Sequence, residues 1–222
     1  MRRALFVTAL LLACSKKEAP SHSEPAPKEA TTLAAAVVTP IATPAPVPSP
    51  APVEEPRTLK GKKVLHVGDS MVGGNWGLTR ALEAKLEPEG ATVVRHTKVS
   101  EMLKSMDQDP TLKDLLHKHD PDIVIITLGT NDTDVPYPEV YAKHVANIAK
   151  RVGTRECWWM GPPKDAPVNK VIAENSAPCK FFDSSTLKLD RAKDGIHPND
   201  KGGGQWANAF WIAFRANADP KP

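Results

Sequence analysis

Residues 122–129 read DIVIITLG, and this stretch decides the fold class. The run is apolar and β-branched without any alternation of polar and apolar side chains, which predicts a strand buried on both faces. Strands of this kind occur mainly in parallel sheets that are covered by helices on both sides. The stretch therefore favours an α/β domain, and the sequence on either side of it supports that interpretation.

Strand and helix patterns alternate around this buried strand. Five strands that alternate with helices predict a three-layer α/β/α sandwich with a five-stranded parallel sheet. In such sheets the functional groups gather at the carboxyl ends of the strands. The other predicted strands cover residues 62–68, 91–96, 156–161 and 179–185, and the predicted helices cover 75–88, 111–120, 137–152, 167–176 and 203–216.

The N-terminus has a different composition from the domain. Residues 1–13 carry two arginines followed by an apolar run, which is typical of an export signal and too short to span a bilayer. The run ends in Leu-Leu-Ala-Cys, which resembles a bacterial lipobox and implies that Cys14 is acylated. We therefore expect a lipoprotein of the bacterial cell envelope that faces the periplasm. Ser15 after the cysteine favours the outer membrane in proteins of that kind.

Residues 14–57 are rich in Pro and Ala, and proline every two or three residues excludes a helix or a ladder. This segment is predicted to be an extended tether between the lipid and a folded domain over residues 58–222. A net charge of +3, from 29 basic and 26 acidic residues, indicates no nucleic-acid partner. We expect a monomer that contacts the membrane only through its lipid.

Two cysteines remain in the predicted domain, at Cys157 and Cys179. An exported protein enters an oxidising compartment, where such a pair can form a disulfide. Two buried free thiols are the alternative interpretation.

Three segments place reactive side chains at the carboxyl ends of predicted strands. The first strand is followed by Gly-Asp-Ser with Ser70, the third by Gly-Thr-Asn-Asp with Asn131, and the last by a loop with Asp194 and His197. A serine hydroxyl needs a base to become a nucleophile, and the base needs a carboxylate to orient it. Asp194 lies three residues before His197 on a short loop, so the acid and the base are predicted to be preassembled for Ser70.

These three blocks together resemble those of the SGNH (GDSL-type) hydrolase family over roughly residues 60–217. The resemblance implies a flavodoxin-like sandwich and metal-free ester hydrolysis without a cofactor. It also implies an oxyanion hole made by the Ser70 amide, a glycine amide of a second block and the Asn131 side chain. The chain departs from that pattern, because no glycine lies between Gly90 and Gly129. Either Ser100 or Glu101 then has to supply the second amide, and Ser100 is our candidate. The Glu101 side chain is expected to lie near the pocket and repel anionic substrates.

Other polar and aromatic residues are interpreted as structural. Asp69 and Asp132 are expected to bond loop amides, His66 to lie in the core, and His117 and His119 to be solvated rather than metal ligands. Trp158 and Trp159 are interpreted as packing residues. Residues 161–163, Gly-Pro-Pro, are expected to shape the pocket wall, and the glycines of 201–204 to loosen the start of the last helix.

The sequence therefore predicts a cell-envelope serine esterase that removes short acyl groups, chiefly acetyl, from a carbohydrate or another ester. Other functions stay open from the sequence. One is an O-acyltransferase that acts on envelope glycan with the same triad, and another is a lipoprotein that binds glycan without turnover. Cleavage of a thioester or a lysophospholipid by the same serine is a further variant.

Overall fold

The computed structural model describes residues 58–73 and 77–216. The predicted signal segment, Cys14 and the tether lie outside these residues. The described chain forms five strands and six α-helices: β1 (Lys63–Gly68), α1 (Gly77–Leu86), β2 (Thr92–Thr97), α2 (Leu103–Gln108), α3 (Thr111–His119), β3 (Ile123–Thr127), α4 (Ala142–Val152), β4 (Glu156–Met160), α5 (Pro167–Asn175), β5 (Lys180–Phe182) and α6 (Asp200–Ala216).

The five strands form one sheet in the order β2-β1-β3-β4-β5, and each neighbouring pair is parallel. This is the flavodoxin-like order, so the predicted fold class is confirmed. The direction in which strands are added reverses between β1 and β3, and a crevice forms at the carboxyl edge of such a switch point. Ser70 follows β1 and Asn131 follows β3, so both lie at that crevice.

Alternate side chains of β3 enter two separate hydrophobic layers. Ile123 and Ile125 pack with α1 and α6 on one face, whereas Val124 and Ile126 pack with α2 to α5 on the other. All five β3 residues are buried. The continuous apolar run of 122–129 is therefore explained by helices on both faces of the sheet, as its pattern predicted.

Helix α2 was not predicted from the sequence. It has only six residues, which is too short to show a helical period. The side chain of Asp132, from the loop after β3, accepts a hydrogen bond from the Leu103 amide at 3.2 Å and satisfies the start of the helix. A carboxylate about thirty residues away in the chain thus supplies the cap that the local sequence lacks.

Helix α6 begins at Asp200, earlier than predicted, and includes the glycines of 201–204. The expectation that these glycines loosen the helix start is wrong. A Cβ added to Gly202 would lie 1.9 Å from the carbonyl oxygen of Asp190, so the absent side chain lets the helix pack against the preceding loop.

Cys157 on β4 and Cys179 just before β5 are joined in a disulfide, with 4.4 Å between their Cα atoms. Both cysteines are buried, so the disulfide links β4 to the start of the edge strand β5 within the protein interior. Within the described residues, no helix combines the length and the apolar composition needed to cross a membrane.

Candidate active site

The candidate nucleophile lies on a tight turn directly after β1. A Cβ at Gly68 would lie 1.8 Å from the carbonyl oxygen of Thr127, so only glycine lets β1 approach β3 closely here. Asp69 is fully buried and accepts a hydrogen bond from the Met71 amide at 2.8 Å. This bond closes the turn around Ser70, which stays partly exposed.

The structure brings Ser70, His197 and Asp194 into one hydrogen-bonded row. His197 Nε2 lies 2.8 Å from Ser70 Oγ, and His197 Nδ1 lies 2.7 Å from Asp194 Oδ2. With the Nδ1 proton donated to the carboxylate, Nε2 is left as the acceptor for the Ser70 hydroxyl. This is the arrangement in which an imidazole acts as a general base toward a serine.

The short spacing of the acid and the base has a geometric cause. The other oxygen of Asp194 accepts hydrogen bonds from the amides of Ile196 at 2.9 Å and His197 at 3.0 Å. The carboxylate therefore bonds both the backbone and the ring of the same short loop. The bond to His197, followed by the two amide bonds, lowers the pKa of Asp194 to about 2. Asp194 is thus ionised at neutral pH and can accept the Nδ1 proton of His197.

The sequence analysis assigned the backbone amides of Ser70 and Ser100 to an oxyanion hole. The amides of Ser70 and Ser100 donate to no acceptor within the described residues. Ser100 has a φ of 59°, the left-handed conformation that glycine adopts most easily. The serine therefore keeps the backbone geometry of the glycine that the family resemblance implied at this block.

Three contacts hold the Ser100 segment between the serine turn and Asn131. The amide of Lys98 donates to the carbonyl of Gly68 at 3.1 Å, and Asn131 Nδ2 donates to the carbonyl of Glu101 at 2.9 Å. Thr97 Oγ1 also donates to the carbonyl of Asp69 at 2.7 Å. One amide proton of Asn131 is used in this way, and the other is left for a ligand.

The expectation that Glu101 lies near the pocket and repels anionic substrates is wrong. Its side chain is 1% exposed and lies 2.7 Å from the ammonium of Lys98. It also accepts a hydrogen bond from Ser105 on α2. The carboxylate is therefore turned into the protein and paired, and only its backbone carbonyl serves the site.

Two buried carboxyl groups support the loops of the site. Burial raises the pKa of Asp69 to about 7, against the opposing effect of the Met71 amide. Burial likewise raises the pKa of Asp132 to about 6. Each side chain accepts a hydrogen bond from a loop or helix amide, which agrees with the structural roles predicted for both residues.

A cleft of about 490 Å³ lies among the loop after β3, the segment after β4 and the loop that carries His197. The apolar lining of the cleft consists of Met71, Pro163 and Ile196. Of the predicted wall residues 161–163, Pro163 lines the cleft, whereas Gly161 packs against the ring of Phe181. The polar lining consists of Thr130, Asn131, Thr133, Asp134, Lys164 and Arg191.

The sequence analysis missed Arg191 and Lys164. Both are single basic residues without a motif, and only the folded chain brings them to the same cleft. The tryptophans were interpreted correctly as packing residues, since Trp158 and Trp159 are buried on β4. His117 and His119 lie at the end of α3, and the described residues contain no group of three side chains able to hold a metal ion.

Comparison with known families gives one match, over residues 63–170, to a family described as "Protein of unknown function (DUF459)". The matched region includes Ser70, Ser100 and Asn131 and ends before Asp194 and His197. No curated protein matches the chain.

Solved structures with the same fold include hydrolases. A crystal structure of TesA has 21% identity and a TM-score of 0.59, and the match covers 70% of this chain and 99% of that chain. A lipase/acylhydrolase from Enterococcus faecalis has 17% identity and a TM-score of 0.57, with 72% and 99% covered. A catalytic mutant of Axe2, an acetylxylan esterase from Geobacillus stearothermophilus, has 21% identity and a TM-score of 0.54, with 69% and 94% covered. At these identities the likeness shows the fold, and that fold is the one that the three sequence blocks imply.

Proposed function

Since the chain has the fold of the SGNH-type hydrolases, we propose that it is a serine esterase that hydrolyses carboxylic esters through an acyl-serine intermediate. The observation that carries this proposal is the continuous row from Ser70 through His197 to Asp194, with contacts of 2.8 and 2.7 Å. A serine at a neutral imidazole that is itself held by a carboxylate is the arrangement that nucleophilic catalysis requires.

In the first half of the reaction, Ser70 Oγ attacks the ester carbonyl carbon while its proton passes to His197 Nε2. The carbonyl electrons move to the oxygen, and the amides of Ser70 and Ser100 with Asn131 Nδ2 stabilise that charge. The tetrahedral intermediate then collapses, and the alcohol leaves with the proton from Nε2. Asp194 stabilises the imidazolium throughout, because its carboxylate stays ionised.

In the second half, water replaces the alcohol. His197 Nε2 takes a proton from the water, the oxygen attacks the acyl-serine, and the acid is released as Ser70 recovers its proton. The side chains of Asp194 and His197 are 46% and 29% exposed, so water has direct access to the base. This access favours hydrolysis as the fate of the acyl-enzyme.

For the substrate we propose a short acyl group, chiefly acetyl, on a carbohydrate. The apolar lining of the cleft is limited to Met71, Pro163 and Ile196, so the cleft offers few contacts to a long acyl chain. The polar lining by Asn131, Thr133 and Lys164 suits the hydroxyl groups of a sugar better than an apolar alcohol. Acetylxylan esterase activity in a protein of the same fold supports this choice by analogy only.

For the location we propose a bacterial cell envelope, with the domain held on the periplasmic side by acylated Cys14. This proposal rests on the sequence of residues 1–57 alone. Cys14→Ser should release the protein from the membrane fraction of cells that express it. Unchanged fractionation of the Cys14→Ser protein would contradict the anchor.

The test of the activity is hydrolysis of p-nitrophenyl acetate, butyrate and octanoate by the purified protein. We expect acetate to be the best substrate and Ser70→Ala to lower kcat by about 10⁴-fold or more. Ser185→Ala is the matched control, because Ser185 lies outside the proposed site. Equal rates for the parent protein and Ser70→Ala on every ester would overturn the proposal.

A second measurement separates the alternatives. Release of acetate from acetylated glycan, measured with and without an excess of unacetylated sugar, separates hydrolysis from transfer. Free acetate in both cases supports the esterase, whereas acetyl groups that appear on the added sugar support the acyltransferase. Glycan binding without release of acetate by the parent protein supports the binding lipoprotein.

A further inference from the structure

We propose that Arg191 is a positioning residue that fixes the acid-base loop, residues 190–199, against the opposite wall of the cleft. This inference rests on the proposed esterase function and extends it to a residue outside the three sequence blocks. The consequence is that Arg191 sets both the alignment of His197 and the size of acyl group that the cleft accepts.

The guanidinium of Arg191 joins two backbone segments across the cleft. Its Nη1 donates to the carbonyl of Ile196 at 2.7 Å, and its Nη2 donates to the carbonyl of Pro163 at 2.6 Å. Ile196 directly precedes His197 in the chain, so the first bond holds the residue next to the base. A planar fork of donors is suited to such a two-point contact, whereas a lysine ammonium is not.

The remaining hydrogen bonds of the loop do not reach that wall. Ala192 N bonds the carbonyl of His197 at 2.7 Å, and Asn199 Nδ2 bonds the carbonyl of Arg191 at 3.1 Å, both within the loop. Asp194 bonds amides of the same loop. Within the described residues, Arg191 therefore makes the hydrogen bond that ties this loop to the Pro163 wall.

The segment of Pro163 and Lys164, which accepts the second hydrogen bond of Arg191, is itself held in place by the fold. Pro163 is buried, and Asn169 of α5 donates to the carbonyl of Lys164 at 2.7 Å. Residues 193–196 of the loop are exposed, so the fold itself gives them little packing. A loop with little packing that carries both the acid and the base needs an external contact to stay aligned, because a displacement of about 1 Å can cost about 100-fold in rate.

The test compares Arg191→Ala, Arg191→Lys and Arg191→Gln with Lys193→Ala, an exposed cation on the same loop. Esters of increasing acyl length are the substrates, and thermal melting checks that each variant is folded. We expect Arg191→Ala to lower kcat on p-nitrophenyl acetate by about 10- to 100-fold. We also expect it to reduce the preference for acetate over butyrate, and Lys193→Ala to match the parent protein.

Two results separate positioning from a general loss of structure. Guanidinium chloride at non-denaturing concentration should restore part of the kcat of Arg191→Ala, whereas methylammonium should not. Arg191→Lys keeps the charge without the fork and should behave like Arg191→Ala. Wild-type kcat and acyl preference in either Arg191→Lys or Arg191→Gln would overturn the inference, while a parent protein inactive on all esters would overturn the proposed function instead.

Discussion

Among residues 58–73 and 77–216 there are two rows in which an imidazole lies between two side-chain oxygens, and they differ in chemistry. In the buried row, His66 Nε2 lies 2.9 Å from Thr127 Oγ1 and His66 Nδ1 lies 3.1 Å from Thr79 Oγ1. The Thr79 hydroxyl donates to a backbone carbonyl, so it accepts from Nδ1–H, and Nε2 accepts from Thr127. His66 thus has the same tautomer as His197 in the active-site row, with a threonine in place of the serine.

The two rows differ in the group that binds the histidine Nδ1 and in their access to solvent. The partner of His66 Nδ1 is a neutral hydroxyl, and burial lowers the pKa of His66 to about 3, so this ring stays neutral. The partner of His197 is an ionised carboxylate on an exposed loop, which is able to stabilise the imidazolium that the proposed reaction forms. A hydroxyl bonded to an imidazole is therefore not enough for a nucleophile, because charge stabilisation and access to substrate are also needed.

Replacement of each histidine should separate the two rows most clearly. We expect His197→Ala to lower kcat by about 10⁴- to 10⁶-fold, because it removes the base. Its melting temperature should stay within a few degrees of the parent protein, because the loop is exposed. Ester kinetics and calorimetry measure both quantities, with His117→Ala as the control. A His197→Ala protein with more than a tenth of the parent kcat would contradict the proposal that His197, unlike His66, acts as the base.

Asp194→Asn should make the active-site row resemble the buried one, since it gives His197 a neutral partner. We expect kcat to fall by about 10⁴-fold with little change in fold, because the amide stabilises neither the tautomer nor the imidazolium. Ester kinetics with circular dichroism on the same sample provide the measurement. A loss of less than tenfold would show that the carboxylate is not what distinguishes the two rows.

His66→Ala should affect stability and leave chemistry almost unchanged. The substitution leaves the hydroxyls of Thr79 and Thr127 with one partner fewer in the core and opens a cavity, so we expect a loss of about 2–4 kcal/mol in the free energy of unfolding. Activity per folded molecule should stay within about threefold of the parent, since the ring does not touch the reacting atoms. Denaturant titration and kinetics at low temperature test this. A large loss of kcat at unchanged stability would contradict the structural role of His66.

Asp69→Asn should give the smallest of these effects, a change in how the free energy of unfolding depends on pH. It tests whether burial beside Ser70 raises the pKa of Asp69. The pKa of Asp69 is raised from 3.8 to about 7, so the folded state binds a proton that the unfolded state has released between these values. Stability from this group is present below about pH 4 and is lost as the pH rises toward 7. Relative to Asp69→Asn, the parent protein should lose about 1–3 kcal/mol between pH 5 and pH 8.

Asp122→Asn serves as the matched control for that pH series. The Lys63 amide, which donates to the Asp122 carboxylate, holds the pKa of that group below its ordinary value of 3.8, so its contribution is lost only at lower pH. The difference between Asp122→Asn and the parent protein should therefore be constant from pH 5 to pH 8. A parent protein and Asp69→Asn with parallel stability curves would contradict the raised pKa of Asp69.

The parallel sandwich and the convergence of Ser70, Asp194 and His197 followed from local patterns in the sequence, whereas the flavodoxin-like strand arrangement was implied by the family resemblance. Runs such as 122–129 show burial directly, and the carboxyl ends of parallel strands meet at one edge. Hence Ser70, Asn131 and the loop of Asp194 and His197 were predicted to converge. Helix α2 and the contact between Arg191 and Pro163 could not be predicted from local patterns. Asp132, which caps α2, and Pro163, which binds Arg191, each lie about thirty residues from their partner in the chain.

The sequence by itself determined the parallel sandwich and the residues of the acid-base pair, since a period, a strand end and a three-residue spacing are local properties. Only the tertiary structure decided where Glu101 turns, that Ser100 adopts a glycine-like φ, and which of two similar imidazole rows faces the cleft. The physical reason is that burial and the choice of hydrogen-bond partner depend on segments distant in the chain. Burial and the hydrogen-bond partner of Nδ1 are what distinguish His66, a structural histidine, from His197, the proposed base.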